Sequence, residues 1–203
     1  GYKTLNTQNA GANAYNVAIG YEAGLSVTTG ASNTIVGGLA GTALTTGLEN
    51  TLVGKNAGDA LTTGNENVAI GVHALSTEDT GSRNVAIGQG ALFALNTDGN
   101  SYNTAIGYNA GLSVTTGVQN TMLGGLAGAG LNIGSQNIAI GYVALYSEDG
   151  HGKNVAIGTE ALYSLNAGAD AYNVAVGHHA GKSVTTGADN TIIGGLAGDA
   201  LTT

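Results

Sequence analysis

Histidine is the side chain best suited to metal binding or proton transfer near neutral pH, and this chain has four. Two of them, His178 and His179, are adjacent. Adjacent residues of a strand point to opposite faces, so the pair cannot bind one metal ion. We therefore predict that both histidines have a surface role and that the protein has no metal site.

Carboxylates recur in two pairs, Glu78 with Asp79 and Glu148 with Asp149, and Asp-Gly occurs at 98–99 and again at 149–150. Loop carboxylates of this kind are ligands that calcium prefers. The glycine- and aspartate-rich nonapeptide of calcium-binding solenoids is absent from the sequence, however. We predict that the acidic pairs are solvated charges and that no metal is structural.

Catalytic and cofactor-binding motifs are not recognisable in this sequence. No set of Ser, His and Asp stands apart from the repeated sequence. The Gly-Gly-Leu-Ala-Gly segments at 37–41, 124–128 and 194–198 are not followed by the Lys-Ser or Lys-Thr of a phosphate-binding loop. The six-residue period of acyltransferase solenoids is also missing. We predict a protein that is not an enzyme and has no cofactor.

Tyrosines are the better candidates for contacting a ligand. Tyr146 and Tyr163 occupy the same position in consecutive repeats, and Tyr102 and Tyr172 each precede a repeated Asn. An exposed tyrosine ring suits stacking against a sugar. The favoured alternative is that these rings pack against their own chain. The predicted candidate surface contacts are Tyr102, Tyr146, Tyr163 and Tyr172.

Threonine pairs recur six times, at 28–29, 45–46, 62–63, 115–116, 185–186 and 202–203. Stacked threonines form flat arrays of the kind that bind ice. Only one residue of an adjacent pair faces outward, however, and other residues interrupt the column. A solenoid that binds ice or calcium is therefore a less favoured alternative.

These residues are set in one five-residue phrase, first seen as Asn-Val-Ala-Ile-Gly at 16–20, which occurs eleven times. Successive copies are 17 residues apart, except for two spacings of 19. A period this short and regular indicates a solenoid. The repeated asparagines, which we number as position zero of each coil, are Asn16, Asn33, Asn50, Asn67, Asn84, Asn103, Asn120, Asn137, Asn154, Asn173 and Asn190.

Each coil is predicted to contain two short strands joined by two tight turns. Its β-branched and glycine-rich segments have poor helix propensity. Glycine can turn the chain with positive φ at position four and also where it closes most Thr-Thr-Gly phrases, at Gly30, Gly47, Gly64, Gly117 and Gly187. The position-four turn glycines are Gly20, Gly37, Gly54, Gly71, Gly88, Gly107, Gly124, Gly141, Gly158, Gly177 and Gly194.

The asparagine at position zero has a physical explanation in such a fold. Coils of a parallel solenoid lie about 4.8 Å apart, so identical Asn side chains stack and can hydrogen-bond as a ladder. The alternative is that each Asn only tolerates left-handed backbone. The ladder is favoured because neither Asp nor Gly replaces Asn in any of the eleven coils.

Both faces of the predicted strand are apolar, which indicates that both are covered. Positions one and three share one face, and position two lies on the other. Because a 17-residue coil encloses only a narrow core, we predict that position two forms an uncovered stripe. Such a stripe would be buried between chains in a homotrimer. Its residues are Ala18, Ala69, Ala105, Ala139, Ala156 and Ala175, with Ile35, Leu52, Met122 and Ile192.

The two 19-residue coils carry extra residues for which a stacked core has no room. We predict that they bulge outward within 95–103 and 165–173, with a shortened form at 9–16. Repeated bulges on one rod could bind a receptor through many weak contacts. The favoured alternative is that the bulges are tolerated insertions without a partner.

The bulk composition excludes several partners. A net charge of −8 argues against nucleic acid and against an anionic membrane surface. The chain has no cysteine, which is compatible with any compartment. No apolar run is long enough to span a bilayer, so no direct membrane insertion is expected.

The repeated Asn-[Val/Thr]-[Ala/Ile/Leu]-[Ile/Val]-Gly phrase, followed by any two residues and then Ala, resembles the head repeats of trimeric autotransporter adhesins. It equally resembles repeats of phage tail fibres. The resemblance implies a left-handed parallel β-roll, with three chains side by side in a rigid extracellular head or stalk.

We expect residues 1–203 to form a single β-solenoid domain of about twelve coils, a segment of a longer fibrous protein on a cell or virion surface. Its predicted function is that of a structural or adhesive rod. A cell-surface receptor or glycan is its expected partner. The main alternative is a filament subunit that associates end to end.

Overall fold

The computed structural model describes residues 1–148 and 150–203, and it is all-β throughout these residues. By its internal contacts the chain divides into a first unit, Gly1–Tyr102, and a second unit, Asn103–Thr203. The first unit contains β1 (Val17–Ile19), β2 (Thr34–Val36), β3 (Thr51–Val53), β4 (Val68–Ile70) and β5 (Val85–Ile87). The second unit contains β6 (Thr104–Ile106), β7 (Thr121–Leu123), β8 (Ile138–Ile140), β9 (Val155–Ile157), β10 (Val174–Val176) and β11 (Thr191–Ile193).

Within each unit, successive strands pair in parallel and in chain order. In the first unit Val17 lies beside Thr34 and Val68 beside Val85, so the register advances by one 17-residue coil. In the second unit Val155 lies beside Val174, which keeps the same register across a 19-residue coil. The predicted parallel β-solenoid is therefore confirmed, whereas its left-handedness and its association in threes stay predictions.

The prediction of two strands in each coil is wrong. Each coil has one strand of three residues, and turns and bends make up most of the remainder. The glycine that follows every strand has a φ between 126° and 143°, a region that side-chain-bearing residues rarely adopt. These glycines therefore let the chain leave the strand and turn around the core.

The glycines that close the Thr-Thr-Gly phrases do not have the positive φ that we predicted for them. Their role is close approach between coils. A Cβ atom on Gly30 would lie 2.6 Å from the carbonyl oxygen of Gly47. No real side chain is tolerated at that distance, so glycine is required here by stacking rather than by backbone conformation.

The core lies on the face of the strand that we predicted to be uncovered. Position two points into the coil, and Ile35, Leu52 and Met122 are fully buried within their own chain. They are buried with the alanines of position seven and the aliphatic residues of position eleven, such as Leu44. One 17-residue coil encloses a single layer of side chains, so only the middle residue of a three-residue strand can face inward.

Positions one and three consequently face outward, which corrects the predicted position-two stripe. In the first unit Val17 and Ile19 are 50% and 61% exposed. In the second unit Leu123 and Ile193 are 45% and 68% exposed. The apolar surface that the chain leaves open is therefore made of β-branched and aliphatic side chains, not of alanine.

Candidate functional site

The repeated asparagines form hydrogen bonds from coil to coil. The backbone N–H of Asn33 donates to Oδ1 of Asn16 at 2.8 Å, and its side-chain Nδ2 donates to the carbonyl oxygen of Gly47 at 2.9 Å. In the second unit the N–H of Asn120 donates in the same way to Oδ1 of Asn103 at 2.9 Å. The role needs an acceptor and a donor on one short side chain. Aspartate lacks the donor and glycine lacks both.

Left-handed backbone lies one residue before each of these asparagines. Among the described residues, φ is positive at Tyr15, Glu49 and Lys153, for example, and at none of the repeated asparagines. The asparagine is therefore in place for its side-chain hydrogen bonds rather than for its tolerance of that backbone.

The strand face is our name for the outward side chains at positions one and three. In the first unit it consists of Val17, Ile19, Thr34, Val36, Thr51, Val53, Val68, Ile70, Val85 and Ile87. In the second unit it consists of Thr104, Ile106, Thr121, Leu123, Ile138, Ile140, Val155, Ile157, Val174, Val176, Thr191 and Ile193. Exposed tyrosines border it, among them Tyr21 and Tyr108. It is a largely apolar surface, with threonine at position one of some coils, and it repeats at the spacing of parallel strands.

Two of the predicted tyrosine contacts are exposed but are held by a cation. Nη1 of Arg83 donates to the hydroxyl oxygen of Tyr102 at 2.7 Å, and the guanidinium lies 5.6 Å from the ring centre. Nζ of Lys153 donates to the hydroxyl oxygen of Tyr172 at 3.0 Å. The Asp170 carboxylate, at 2.6 Å, and that hydroxyl together raise the pKa of Lys153. Both rings are thus fixed at the surface where a long coil returns to the next strand.

The prediction that the acidic pairs are solvated is wrong for Glu78. Its side chain is fully buried at position eleven, where nine of the other coils carry an aliphatic residue. Oε1 accepts the N–H of Gly81 at 2.7 Å. Oε2 accepts the N–H and the hydroxyl of Thr97, at 3.1 and 3.0 Å. Burial raises the pKa of Glu78, and these hydrogen bonds oppose the rise.

Thr97 belongs to the following 19-residue coil, so the buried carboxylate binds the start of the bulge. Residues 98–100 then lie exposed, and the hydroxyl of Ser101 closes the network against that of Thr97. Since protein donors already point at both carboxylate oxygens, the arrangement is unsuited to a calcium ion. Sequence reasoning missed this role, although a glutamate in an apolar column one coil before a long coil was its signal.

Glu148 occupies the corresponding place in the second unit and is also fully buried, so its predicted solvation is wrong too. Oε1 accepts the N–H of His151 at 3.2 Å, and Nδ1 of the same histidine lies 3.4 Å away. Burial is the main cause that raises the pKa of Glu148, and the backbone of Ala167 opposes it. Asp149, its predicted partner in the acidic pair, lies outside the described residues.

His178 and His179 lie in a turn rather than on a strand, so they do not point to opposite faces as predicted. Their rings stack with centroids 3.7 Å apart. His178 is exposed and His179 is half-buried, with Nε2 3.6 Å from Oε2 of Glu160. Within residues 1–148 and 150–203, no group of three or more His, Cys, Asp or Glu side chains could hold a metal ion.

The other two predicted tyrosine contacts lie beside a groove of about 350 Å³ in the second unit. Tyr146 and Tyr163 are half-buried, and their rings stack with centroids 5.3 Å apart and an interplanar angle of 6°. We call this groove the tyrosine groove, and its lining residues are Tyr142, Val143, Glu160, Tyr163 and Lys182.

The tyrosine groove contains one ion pair beside its aromatic rings. Nζ of Lys182 contacts Oε2 of Glu160, and this hydrogen bond is the main cause that lowers the pKa of the carboxyl. The groove therefore offers an aromatic surface next to a carboxylate and an ammonium group whose charges balance. That chemistry suits binding, and nothing in the lining supplies an activated nucleophile.

In the part of the chain that the structure describes, no helix is long and apolar enough to cross a membrane. Comparisons with protein-family models, with curated proteins and with solved structures found no match to this chain. Its function must therefore be argued from the strand face, the buried glutamates and the tyrosine groove themselves.

Proposed function

We propose that this chain is a rigid segment of a homotrimeric surface fibre, either the head or shaft of an adhesin or part of a phage tail fibre. In this role it serves as a spacer or a receptor-binding rod outside the cell. The observation that carries the proposal is the strand face. In each unit its position three is an unbroken row of aliphatic side chains that are half-buried or exposed, beside a position one that carries Val, Ile or Thr.

An exposed apolar row of this kind is rare on a soluble monomer because burial of apolar surface is favourable, at about 25 cal/mol per Å². A second copy of the chain is the best cover for it. The strand face repeats at about 4.8 Å per coil, so another strand face has the same spacing and can match it along its length. The side chains Val, Ile, Thr and Leu are stiff or compact, which favours close packing between faces.

Rigidity is supported by the coil-to-coil hydrogen bonds. Within each unit every strand pairs with its neighbour, and the asparagines add a second, buried row of hydrogen bonds beside the strands. A coil cannot tilt without breaking both rows, so each unit is suited to hold a receptor-binding surface at a fixed distance. The repeated phrase that carries these asparagines is also the one that resembles adhesin and tail-fibre repeats.

Light scattering on the intact chain tests the proposal. We expect a mass about three times the 19.8 kDa of one chain. The variant Ile70→Asp with Leu123→Asp places charges on the strand face and should give monomers of unchanged circular dichroism, because it leaves the inward position two intact. Thr77→Asp, at an exposed residue outside the strand face, should leave the mass unchanged.

A wild-type mass of one chain would contradict the trimer. A broad and much larger species would favour the end-to-end filament instead. If the two strand-face substitutions left a trimer intact, the chains would have to associate through another surface.

A further inference from the structure

We propose that the tyrosine groove of the second unit binds one neutral hexopyranose ring, presented as a unit of a glycan. This inference goes beyond a structural role in a fibre. The groove is formed within one chain, so it does not require the chain to trimerise.

The size of the groove favours a single sugar ring. Its volume of about 350 Å³ lies near the lower end of the range of about 300–1,000 Å³ seen for small-molecule sites. The residues come from three successive coils: Tyr142 and Val143, then Glu160 and Tyr163, then Lys182. Neighbouring coils lie about 4.8 Å apart along the solenoid axis, so the groove extends along that axis over three coils.

The aromatic side of the groove is already ordered. Tyr163 is stacked on Tyr146 with nearly parallel rings, so little ring freedom remains to be lost on binding. Tyr142 is 58% exposed and presents a second ring one coil away. The C–H face of a pyranose is apolar and flat, and it packs well against tyrosine rings whose hydroxyls remain in water.

The polar side of the groove matches vicinal sugar hydroxyls. A carboxylate can accept hydroxyl protons and an ammonium group can donate to hydroxyl oxygens, so Glu160 and Lys182 suit a ligand with neighbouring hydroxyls. Hydrogen bonds to charged groups are stronger than those between neutral groups. Glu160 and Lys182 already pair with each other, so neither is a free counter-charge for a charged ligand. Such a ligand would have to displace one member of the pair from the other. A neutral, hydroxyl-rich ligand keeps the pair and bonds to both groups.

The first unit provides an internal comparison. The same positions of its coils carry Val72, His73, Gly90 and Phe93. An aromatic contact remains, since His73 and Phe93 meet edge to face with centroids 6.1 Å apart. The carboxylate that faces the groove in the second unit is replaced by Gly90, so the hydroxyl-binding side is missing. We therefore expect the sugar to bind only in the second unit.

The test is saturation-transfer NMR on the intact chain with methyl β-galactoside, methyl β-glucoside and methyl α-mannoside, followed by titration calorimetry with the best of them. At least one glycoside should bind saturably, with the strongest saturation on the protons of its apolar face. Tyr142→Ala and Glu160→Gln should each weaken binding at least tenfold, whereas Tyr163→Phe should retain it. Phe93→Ala, at the first-unit position that corresponds to Tyr163, should have no effect.

Circular dichroism on each variant separates lost binding from lost folding, and Tyr142 is chosen because its exposed ring is not part of the stack. The proposal is overturned if none of the three glycosides binds saturably. It is also overturned if Tyr142→Ala and Glu160→Gln bind as tightly as the wild type, or if methyl glucuronide binds while the neutral glycosides do not. Light scattering on the same samples reports the trimer separately, so failure of one proposal leaves the other measurable.

Discussion

The two buried glutamates show how one structural device is built in two ways. Glu78 and Glu148 both replace an aliphatic residue at position eleven, and both precede a 19-residue coil. Around Glu78, two amides and the Thr97 hydroxyl saturate the carboxylate. In the long coil after Glu148, Ala167 occupies the position that Thr97 has in the first unit, so no hydroxyl is present there. Oε2 of Glu148 has no hydrogen-bond partner among the described residues. An imidazole, that of His151, lies nearby instead.

The difference between the two glutamates shows that a 19-residue coil needs a hydrogen-bond acceptor for its backbone N–H groups. Two extra residues leave the stacked core and expose backbone donors at the point where they depart. A carboxylate can accept hydrogen bonds from those donors. Burial of a carboxylate destabilises the folded state, however, unless hydrogen bonds or a cation compensate for the lost hydration. The first unit compensates Glu78 with hydroxyl and amide groups. The second compensates Glu148 less completely, with amides and a half-buried histidine.

Replacing Glu78 by leucine should have the largest effect. Leucine fits the column, as Leu44 and Leu61 show, but it leaves the buried N–H groups of Gly81 and Thr97 without an acceptor. We expect a loss of about 3 kcal/mol in the free energy of unfolding. Urea unfolding followed by circular dichroism measures it. Glu66→Gln, at an exposed carboxylate, is the control and should change stability by less than about 1 kcal/mol.

The outcome that would contradict this role for Glu78 is a leucine variant as stable as the wild type. The donors of the long coil would then be satisfied by water, and the carboxylate would not be what holds the bulge.

Replacing Thr97 by valine makes the first unit resemble the second. Valine keeps the branched shape of threonine but removes the hydroxyl that lies 3.0 Å from Oε2 of Glu78. The expected loss is about 1–2 kcal/mol, since one hydrogen bond to a buried charge disappears while the Thr97 amide stays in place. Thr77→Val, at an exposed threonine, is the matched control in the same urea experiment. If Thr97→Val and Thr77→Val lost the same free energy of unfolding, the hydrogen bond from the Thr97 hydroxyl to Glu78 would contribute nothing to stability.

The smallest effect concerns pH and the carboxylate of the second unit. Burial raises the pKa of Glu148 above its ordinary value of 4.5. A carboxyl whose pKa is higher in the folded chain favours folding when protonated. Its contribution is fully present below the unfolded pKa and is lost as the pH rises through the folded pKa. The stability of the wild type relative to Glu148→Gln should therefore fall as the pH rises from 4 to 8, in urea midpoints measured side by side.

A relative stability that instead rose with pH would mean that the His151 imidazole and the amides outweigh burial at Glu148. The same series with Glu78→Gln sharpens the comparison between the two sites. Both oxygens of Glu78 accept N–H groups, so an amide there should destabilise the fold at every pH, whereas at Glu148 one oxygen is free to become an NH₂ group.

The period of the fold could be predicted from the sequence because two residue types are fixed by geometry. The Asn at position zero and the Gly at position four recur at the spacing of one coil, and the strands pair in that register. The side of the strand that faces inward could not be predicted. Positions one and three are β-branched or aliphatic and position two is alanine or aliphatic. Alternation therefore places Ile35 on the opposite face from Thr34 and Val36, but it does not show which face is buried.

The candidate sites were predictable only in part. Tyr146 and Tyr163 were recognisable as a pair because they share a position in consecutive coils. Glu160 and Lys182 were not, because their pairing depends on a turn that brings positions six and nine of neighbouring coils together. The prediction that His178 and His179 point to opposite faces was wrong for the same reason, since a turn was treated as a strand. The single-domain organisation, the trimer and the extracellular location stay predictions.

The unbroken strand register across a 19-residue coil separates two properties that are coupled in most folds. In the second unit Val155 and Val174 pair as if the long coil had the usual length, and residues 168–170 lie exposed beside it. The position of a strand along the solenoid axis is therefore set by the number of coils before it. The length of a coil determines how many residues that coil exposes. A peptide inserted at a bulge should therefore change the surface of that one coil without changing the axial position of the next coil.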